Sequence, residues 1–572
     1  MTPKTEAVKI IFLFIYNAYK LPKLRKPQQY LRIPTIKIKF AYTPMKKIYF
    51  ILATLVIVIS GMSYMYFSTL NKAGVQSDLS LELVSKNAGL IFSFQNDKSV
   101  RNILDGQELL NKIIGEQKSE ALRVLKTELD KSGIGPLFQG QNIYLGFYPA
   151  ADKQIAFMLG IQLNPDADEK LLAASLSRSG KPLKPYSTYH LLELSEDISF
   201  YVLIQKRVVL IASTASVIDN LIANEKNDIE KEFVSFIQKS DRLSKNSLAN
   251  LYINYNQIGQ LMKSVTPYFN RGALSVLNAQ NAFSRLSYNF SKEKVFFSGE
   301  TKIYNSDSYY SLFANIKPEK IELDKILPAN TASFILYSFG DYKTFHKGLQ
   351  TWFSSRKEQD KIRKRIAAVN EKYRLNLDNI FQRYTGSQAV TFQLQNKQNL
   401  AAIKLNSGEK VEQLLLDLSE DYNGEIRSLK EPDLLYYYFG EPLRKFKSPY
   451  YLIINNHIVF AAFPSSLLDF RNSYQENNLL VLDKNYTQVF KQLPSSSNIL
   501  FYLNHKRAQN IIVNTIYPEY YSQIRSEQGL KDFDNFVFQL SGDQGTFQTN
   551  LLFTTPTKAQ VPSLQSDSLS LQ

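Results

Sequence analysis

From Ile48 to Phe67 the chain runs IYFILATLVIVISGMSYMYF without a charge. At about 1.5 Å of rise per residue this run reaches roughly 30 Å, the hydrocarbon thickness of a bilayer, and it predicts one transmembrane helix. The apolar run Ile10–Tyr19 is too short to do the same. After Phe67 the pattern changes to short alternating segments and helical periods. Ile103, Leu104, Leu109, Leu110, Ile113 and Ile114 recur at helical spacing, as do Leu122, Leu125 and Leu129. Asn142–Tyr148 with Ile155–Leu163, and Ala389–Leu394 with Leu400–Leu405, alternate as half-buried antiparallel hairpins do. Strands do not alternate one-for-one with helices, so the expected class is α+β with mostly antiparallel sheets and packed helices.

The chain after Phe67 resembles itself. Asn87–Phe94 matches Thr331–Ser338, Leu137-Phe138-Gln139 matches Ile380-Phe381-Gln382, and Ile161–Asn164 matches Ile403–Asn406. Val208–Ala212 returns as Ile458–Ala462, Leu251–Asn254 as Phe501–Asn504, and Phe290-Ser291 as Leu540-Ser541. Six matches in one order, at offsets from about 242 to 250, predict two homologous halves. The organisation reads as a basic arm (1–47), a membrane anchor (48–67), a linker (68–80), two α+β halves (81–316 and 317–555) and a disordered tail (556–572). Lys317-Pro318 and Leu327-Pro328 mark the join. Each half is expected to open on a strand (Gly89–Phe94; Ser333–Phe339) and close on a hairpin (Arg285–Ile303; Asn535–Thr554).

Charge sharpens the topology. The chain carries +16, yet residues 1–47 hold eleven bases against one acid, leaving +6 for the other 525 residues. A basic flank before an apolar span stays cytoplasmic, so the bulk of the chain is expected outside the inner membrane. A nucleic-acid partner would need that basicity on the folded domain, and none is expected. The alternative to an uncleaved anchor is a cleaved signal peptide, although no A-x-A pattern follows the run. Met45 opens a second export-like start, MKKIYFILATLVIV, so translation from Met1 or Met45 both fit. The absence of cysteine excludes disulfides, thiol nucleophiles, Cys-ligated metals and a lipidated cysteine.

Candidate chemistry is sparse. His190, His346, His457 and His505 share no metal-ligand spacing; His457 follows Asn455-Asn456 and reads as a solvated turn histidine. Gly133-Ile134-Gly135 with Gly140 lacks the spacing of a dinucleotide loop. Ser-x-x-Lys occurs at Ser354–Lys357 and Ser291–Lys294 without the companion motifs of a serine acyl-enzyme. Glu193, Glu196 and Asp197, like Glu420 and Asp421, border predicted strands as solvated acids. The aromatic groups Tyr436–Phe439, Tyr450-Tyr451, and Tyr517 with Tyr520-Tyr521 could line a groove; aromatic alternation along half-buried strands is the preferred reading. No catalytic, cofactor or metal residue is assigned.

The segments MKKIYFILATLVIV, KNAGLIFSFQND and LPANTASFILYSFGDY together resemble a family of uncharacterised, membrane-anchored bacterial envelope proteins with a large periplasmic domain. The resemblance covers residues 45–555 and implies an inner-membrane, single-pass protein, but transfers no site residue. The expected function is non-catalytic: an anchor, in the bilayer through Ile48 to Phe67, whose duplicated domain binds an envelope protein, a lipid or a glycan. The alternative is an envelope hydrolase with an acid or Ser/Lys site.

Overall fold

The computed structural model describes residues 78–556, apart from 179, 224–227, 242–246, 269–280 and 305–307. The expected basic arm and the Ile48–Phe67 span lie outside the described residues, as do nearly all of the linker and tail. Among the described residues no helix is long and apolar enough to cross a membrane.

The first half contributes β1 (Leu90–Gln95), β2 (Asn142–Pro149), β3 (Ile155–Gln162), β4 (Lys184–Tyr186), β5 (Tyr189–Glu193), β6 (Ser199–Gln205), β7 (Val208–Ala212), β8 (Asn250–Asn254), β9 (Ala282–Phe290) and β10 (Lys294–Ile303). From the second come β11 (Glu319–Lys320), β12 (Thr331–Ser338), β13 (Thr385–Leu394), β14 (Asn399–Leu405), β15 (Ser419–Asp421) and β16 (Arg427–Leu429). It also supplies β17 (Tyr450–Ile454), β18 (His457–Ala461), β19 (Ser496–Ser497), β20 (Ile499–Asn504), β21 (Asn535–Asp543) and β22 (Thr546–Thr554). β11 and β19 form a separate two-stranded ladder; the rest join one 20-stranded sheet in which every pairing is antiparallel.

The first ten run β4-β5-β6-β7-β3-β2-β1-β8-β9-β10. The other ten run β15-β16-β17-β18-β14-β13-β12-β20-β21-β22. Position by position the two orders are the same. They meet where β10 pairs with β22, Lys294 opposite Thr554 through to Lys302 opposite Thr546.

This seam is self-complementary. Ser298 lies across from Ser287, which lies across from Asn250, four residues before the helix-capping Asn254. Asn550 lies across from Gln539, then Leu500, four residues before the helix-capping Asn504. Ser298 and Asn550 are therefore equivalent, and they pair with each other. That is the pattern of an isologous two-fold interface, here within one chain. The capped helices, Tyr255–Lys263 and His505–Val513, have equal lengths. Even the outer edges correspond: the Tyr186 and Tyr201 rings meet edge-on at 5.2 Å, and those of Tyr422 and Tyr450 at 5.6 Å.

Alternation along the strands builds the core. Phe92, Ile335 and Tyr337 point into one apolar layer shared by both halves. Their strand neighbours Ile91 and Phe334 enter two separate layers on the opposite face. β12 is buried along its whole length, because helices or turns cover both its faces. Asp341 accepts the Thr344 N–H at 2.9 Å and starts the helix Tyr342–Ser355 beside it. A second helix, Gln359–Tyr373, follows it.

Several expectations are corrected in register. Leu90 faces Ile253 and Ser333 faces Leu503, so β1 aligns with β12 one residue away from the sequence match. A one-residue slip would exchange the two faces, and the burial of Phe92 with Ile335 excludes it. Asn164 takes the carbonyls of Leu137 and Pro136, whereas Asn406 takes those of Tyr384 and Arg383. The Leu137–Ile380 match is therefore about one helical turn out of place. Tyr309, Tyr310 and Phe313 precede the expected join at 316/317, yet they pack on Tyr337, Phe345 and Trp352 of the second half.

Candidate functional site

At one end of the seam a polar cleft of about 330 Å³ opens. The β9–β10 turn supplies Ser291, Glu293 and Lys294 as one wall. Opposite stand Asn485, Gln488, Lys491 and Gln492, on and just beyond the helix Lys484–Phe490. Asn535 and Thr554, both buried, line its inner surface.

Local bonds hold these parts. Asp483 caps the helix by accepting the Asn485 N–H at 2.8 Å, and its carboxylate also takes the Arg507 guanidinium. The Thr555 N–H donates to the Glu293 carbonyl at 3.1 Å, tying the end of β22 to the turn. Asn535 Oδ1 accepts from Tyr502 Oη at 2.8 Å and Asn504 Nδ2 at 3.1 Å, while its Nδ2 donates to Thr554 Oγ1 at 3.2 Å. The lining therefore offers one fixed amide, Asn535, with the exposed amides of Asn485, Gln488 and Gln492, several hydroxyls, two ammonium groups and one carboxylate.

The equivalent place in the first half is filled. The shift that relates Ser298 to Asn550 relates Phe283 to Asn535 and Tyr304 to Pro556. Phe283 and Tyr304 pack with ring centres 5.2 Å apart, and Phe233 and Phe236 close on Phe283 at 5.0 and 5.8 Å. Those two rings come from the helix Asp228–Asp241, which has 14 residues; its counterpart Lys484–Phe490 has seven. One half has an aromatic plug where the other has amides, proline and open space. The sequence signal is the exchange of Phe283 and Tyr304 for Asn535 and Pro556 in the matched closing hairpins.

Apart from Ser291 and Lys294, the candidate residues of the sequence are dispersed. His346 is buried, stacked between the rings of Tyr342 at 5.8 Å and Tyr438 at 5.4 Å. Burial holds its pKa below the ordinary value, against the opposing pull of Asp378. His457 is not a solvated turn residue: it is the first residue of β18, and burial lowers its pKa as well. His190 lies on β5, and His505 Nδ1 sits 3.1 Å from the Phe533 carbonyl. Among the described residues no group of three or more His, Asp or Glu side chains could hold a metal ion.

Ser354 and Lys357 form the turn after a helix, with the Lys357 N–H donating to the Ser354 carbonyl at 3.0 Å. Ser291 and Lys294 do share the cleft, but Ser291 Oγ accepts the Glu293 N–H at 3.2 Å while the Lys294 ammonium lies 5.9 Å from the Phe296 ring centre. Glu193 pairs with Lys184, and Asp421 with Arg427 at 3.3 Å, on strands near the outer edges of the sheet. Glu420 is exposed on β15, and Glu196 and Asp197 are exposed between β5 and β6.

The aromatic run Tyr436–Phe439 is not strand. It lies in the helix Leu434–Phe439, where Tyr436, Tyr438 and Phe439 are buried. Tyr438 stacks on Phe381 at 4.0 Å and donates to Asp378 at 2.8 Å, so contact on several sides outweighs strand preference. Tyr451 is core, and Tyr520 donates to the Lys153 carbonyl at 2.9 Å. A second, apolar void of about 30 Å³ lies among Phe381, Tyr384, Leu415, Leu435 and Phe460. It is far below the few hundred Å³ of a ligand pocket.

No family model matches the chain, and no curated protein or solved structure matches it either.

Proposed function

We propose that this chain is a non-catalytic envelope protein, anchored in the inner membrane by Ile48–Phe67, whose duplicated periplasmic domain binds a glycan. The basic flank supports a cytoplasmic N-terminus. The repeated strand order and self-paired seam support descent from one module that paired with its own copy and then duplicated.

The polar cleft carries the binding reading. Among a partner protein, a lipid and a glycan, amides and hydroxyls gathered in an open cleft suit hydroxyl-rich ligands best. A lipid would call for an apolar groove, and the apolar void is too small for an acyl chain. Paired-carboxylate glycoside hydrolysis requires two acids flanking the bond. Among the described residues lining the cleft, Glu293 is the single carboxylate.

The runner-up is a hydrolase, and the presence of Ser291 and Lys294 in the same cleft favours it over other enzymatic readings. One experiment separates the two. The full chain in detergent micelles is incubated with cell-wall glycan fragments, and both retention and newly released ends are measured. Retention without release is expected; release abolished by Ser291→Ala would replace the binding reading with the hydrolase.

A further inference from the structure

Resting on that glycan-binding reading, we propose that the cleft recognises an acidic saccharide, a sugar carrying a carboxylate. Three observations lead there.

The first is location. Under the equivalence set by Ser298 and Asn550, the cleft replaces an aromatic plug. Phe283, packed by Phe233 and Phe236 and capped by the partly exposed Tyr304, fills the first half, and the second half has Asn535 and Pro556 at the positions of Phe283 and Tyr304. Simple loss of packing would leave an apolar void, but this one is lined with amides and hydroxyls. Asn535 is held by Tyr502, Asn504 and Thr554. Such a buried polar network costs stability unless every member is satisfied, and here its bonds orient one side chain at the inner surface of the cleft.

The second is charge. Lys294 and Lys491 face a single acid, Glu293, so the cleft carries one net positive charge. One carboxylate balances it. A phosphate monoester, with roughly −1.5 to −2 at neutral pH, exceeds it.

The third is size and donor chemistry. About 330 Å³ lies at the lower end of the roughly 300–1,000 Å³ of small-molecule pockets, which suits a small saccharide. The exposed amides of Asn485, Gln488 and Gln492 each offer donor and acceptor, matching hydroxyls that do both, while Asn535, its Oδ1 already accepting two bonds, shapes the inner surface.

The test is calorimetric titration of the full chain in detergent micelles with glucuronate, glucose and inorganic phosphate. Glucuronate is expected to bind saturably, with glucose and phosphate weaker by about tenfold. Lys294→Gln with Lys491→Gln removes the charge preference, and Asn535→Phe with Pro556→Tyr, rebuilding the plug, abolishes binding. Glucuronate binding no tighter than glucose or phosphate, or unchanged by the two lysine substitutions, overturns the proposal. The lysines line an open cleft, so that variant decides the matter even if the plugged one misfolds. If glucuronate fails while cell-wall fragments are still retained, the ligand class is wrong and the glycan reading stands. Loss of both removes both.

Discussion

The hydroxyls of Thr301 and Thr549 meet at 2.6 Å across the seam, buried between β10 and β22. Thr301 also contacts Ser284 Oγ at 2.5 Å, and Ser284 bonds Tyr255 Oη at 2.9 Å. This chain of hydroxyls links the two halves where water has no access. Thr549→Val keeps the shape and removes one partner, so a loss of about 1–3 kcal/mol is expected. Thr301→Val with Thr549→Val together should cost less than the sum of the two singles, because the pair is coupled. Urea unfolding followed through Trp352, the single tryptophan, measures both.

Gly299 sits beside that contact. A Cβ there would lie 2.0 Å from the Arg285 carbonyl oxygen, and rigid backbone cannot yield as a side chain can. Gly299→Ala is expected to cost at least about 1–3 kcal/mol, the range for overpacking. Equal urea midpoints for the variant and the parent would show that the β9–β10 ladder is looser than its register indicates.

His346 makes stability depend on pH. Its folded pKa lies below the ordinary value of 6.5, so the unfolded chain takes up a proton first. Its contribution is complete above about pH 6.5 and is lost as pH falls through that value toward the folded pKa. Burial shifts His457 the same way, so it adds to the slope. Thermal unfolding between pH 7.5 and 5 should show a falling midpoint, flattened in part by His346→Phe. An unchanged slope in that variant would assign the effect to other groups.

Orientation has its own test. Protease added to spheroplasts should degrade the C-terminal part while sparing the basic arm, and an intact C-terminal part would reverse the proposed topology. The mass of the purified chain decides at the same time between Met1 and Met45 and between an anchored and a cleaved form.

Local pattern made much of this fold legible. The strands around Asn142–Tyr148, Ala389–Leu394 and the closing hairpins stand where the pattern puts them, but the two hairpins expected to be half-buried are buried on both faces, because layers of the core cover each side of the sheet. Tyr436–Phe439 has the aromatic content of a strand, and only its neighbours Phe381, His346 and Phe353 show that a helix packs there. Internal matches pointed to the repeated order but missed register by one residue at β1, where apolar identity alone does not say which face a side chain takes. Of the cleft, the sequence shows only scattered pieces: the Ser291–Lys294 pair and the exchange of Phe283 and Tyr304 for Asn535 and Pro556. The cleft walls come from the 291–294 turn and the 485–492 segment, which the chain separates by nearly 200 positions.

By itself, then, the sequence determined the local elements, their repetition along the chain, and the charge asymmetry around one apolar run. These depend on neighbouring residues and on periodicity, which a linear pattern records in full. The tertiary structure decided that the repeats join edge to edge through β10 and β22, that Ser298 faces its own counterpart, and that the second half opens where the first is sealed. Those outcomes depend on which strand edges meet and which side chains fill a shared volume, and no local pattern encodes either.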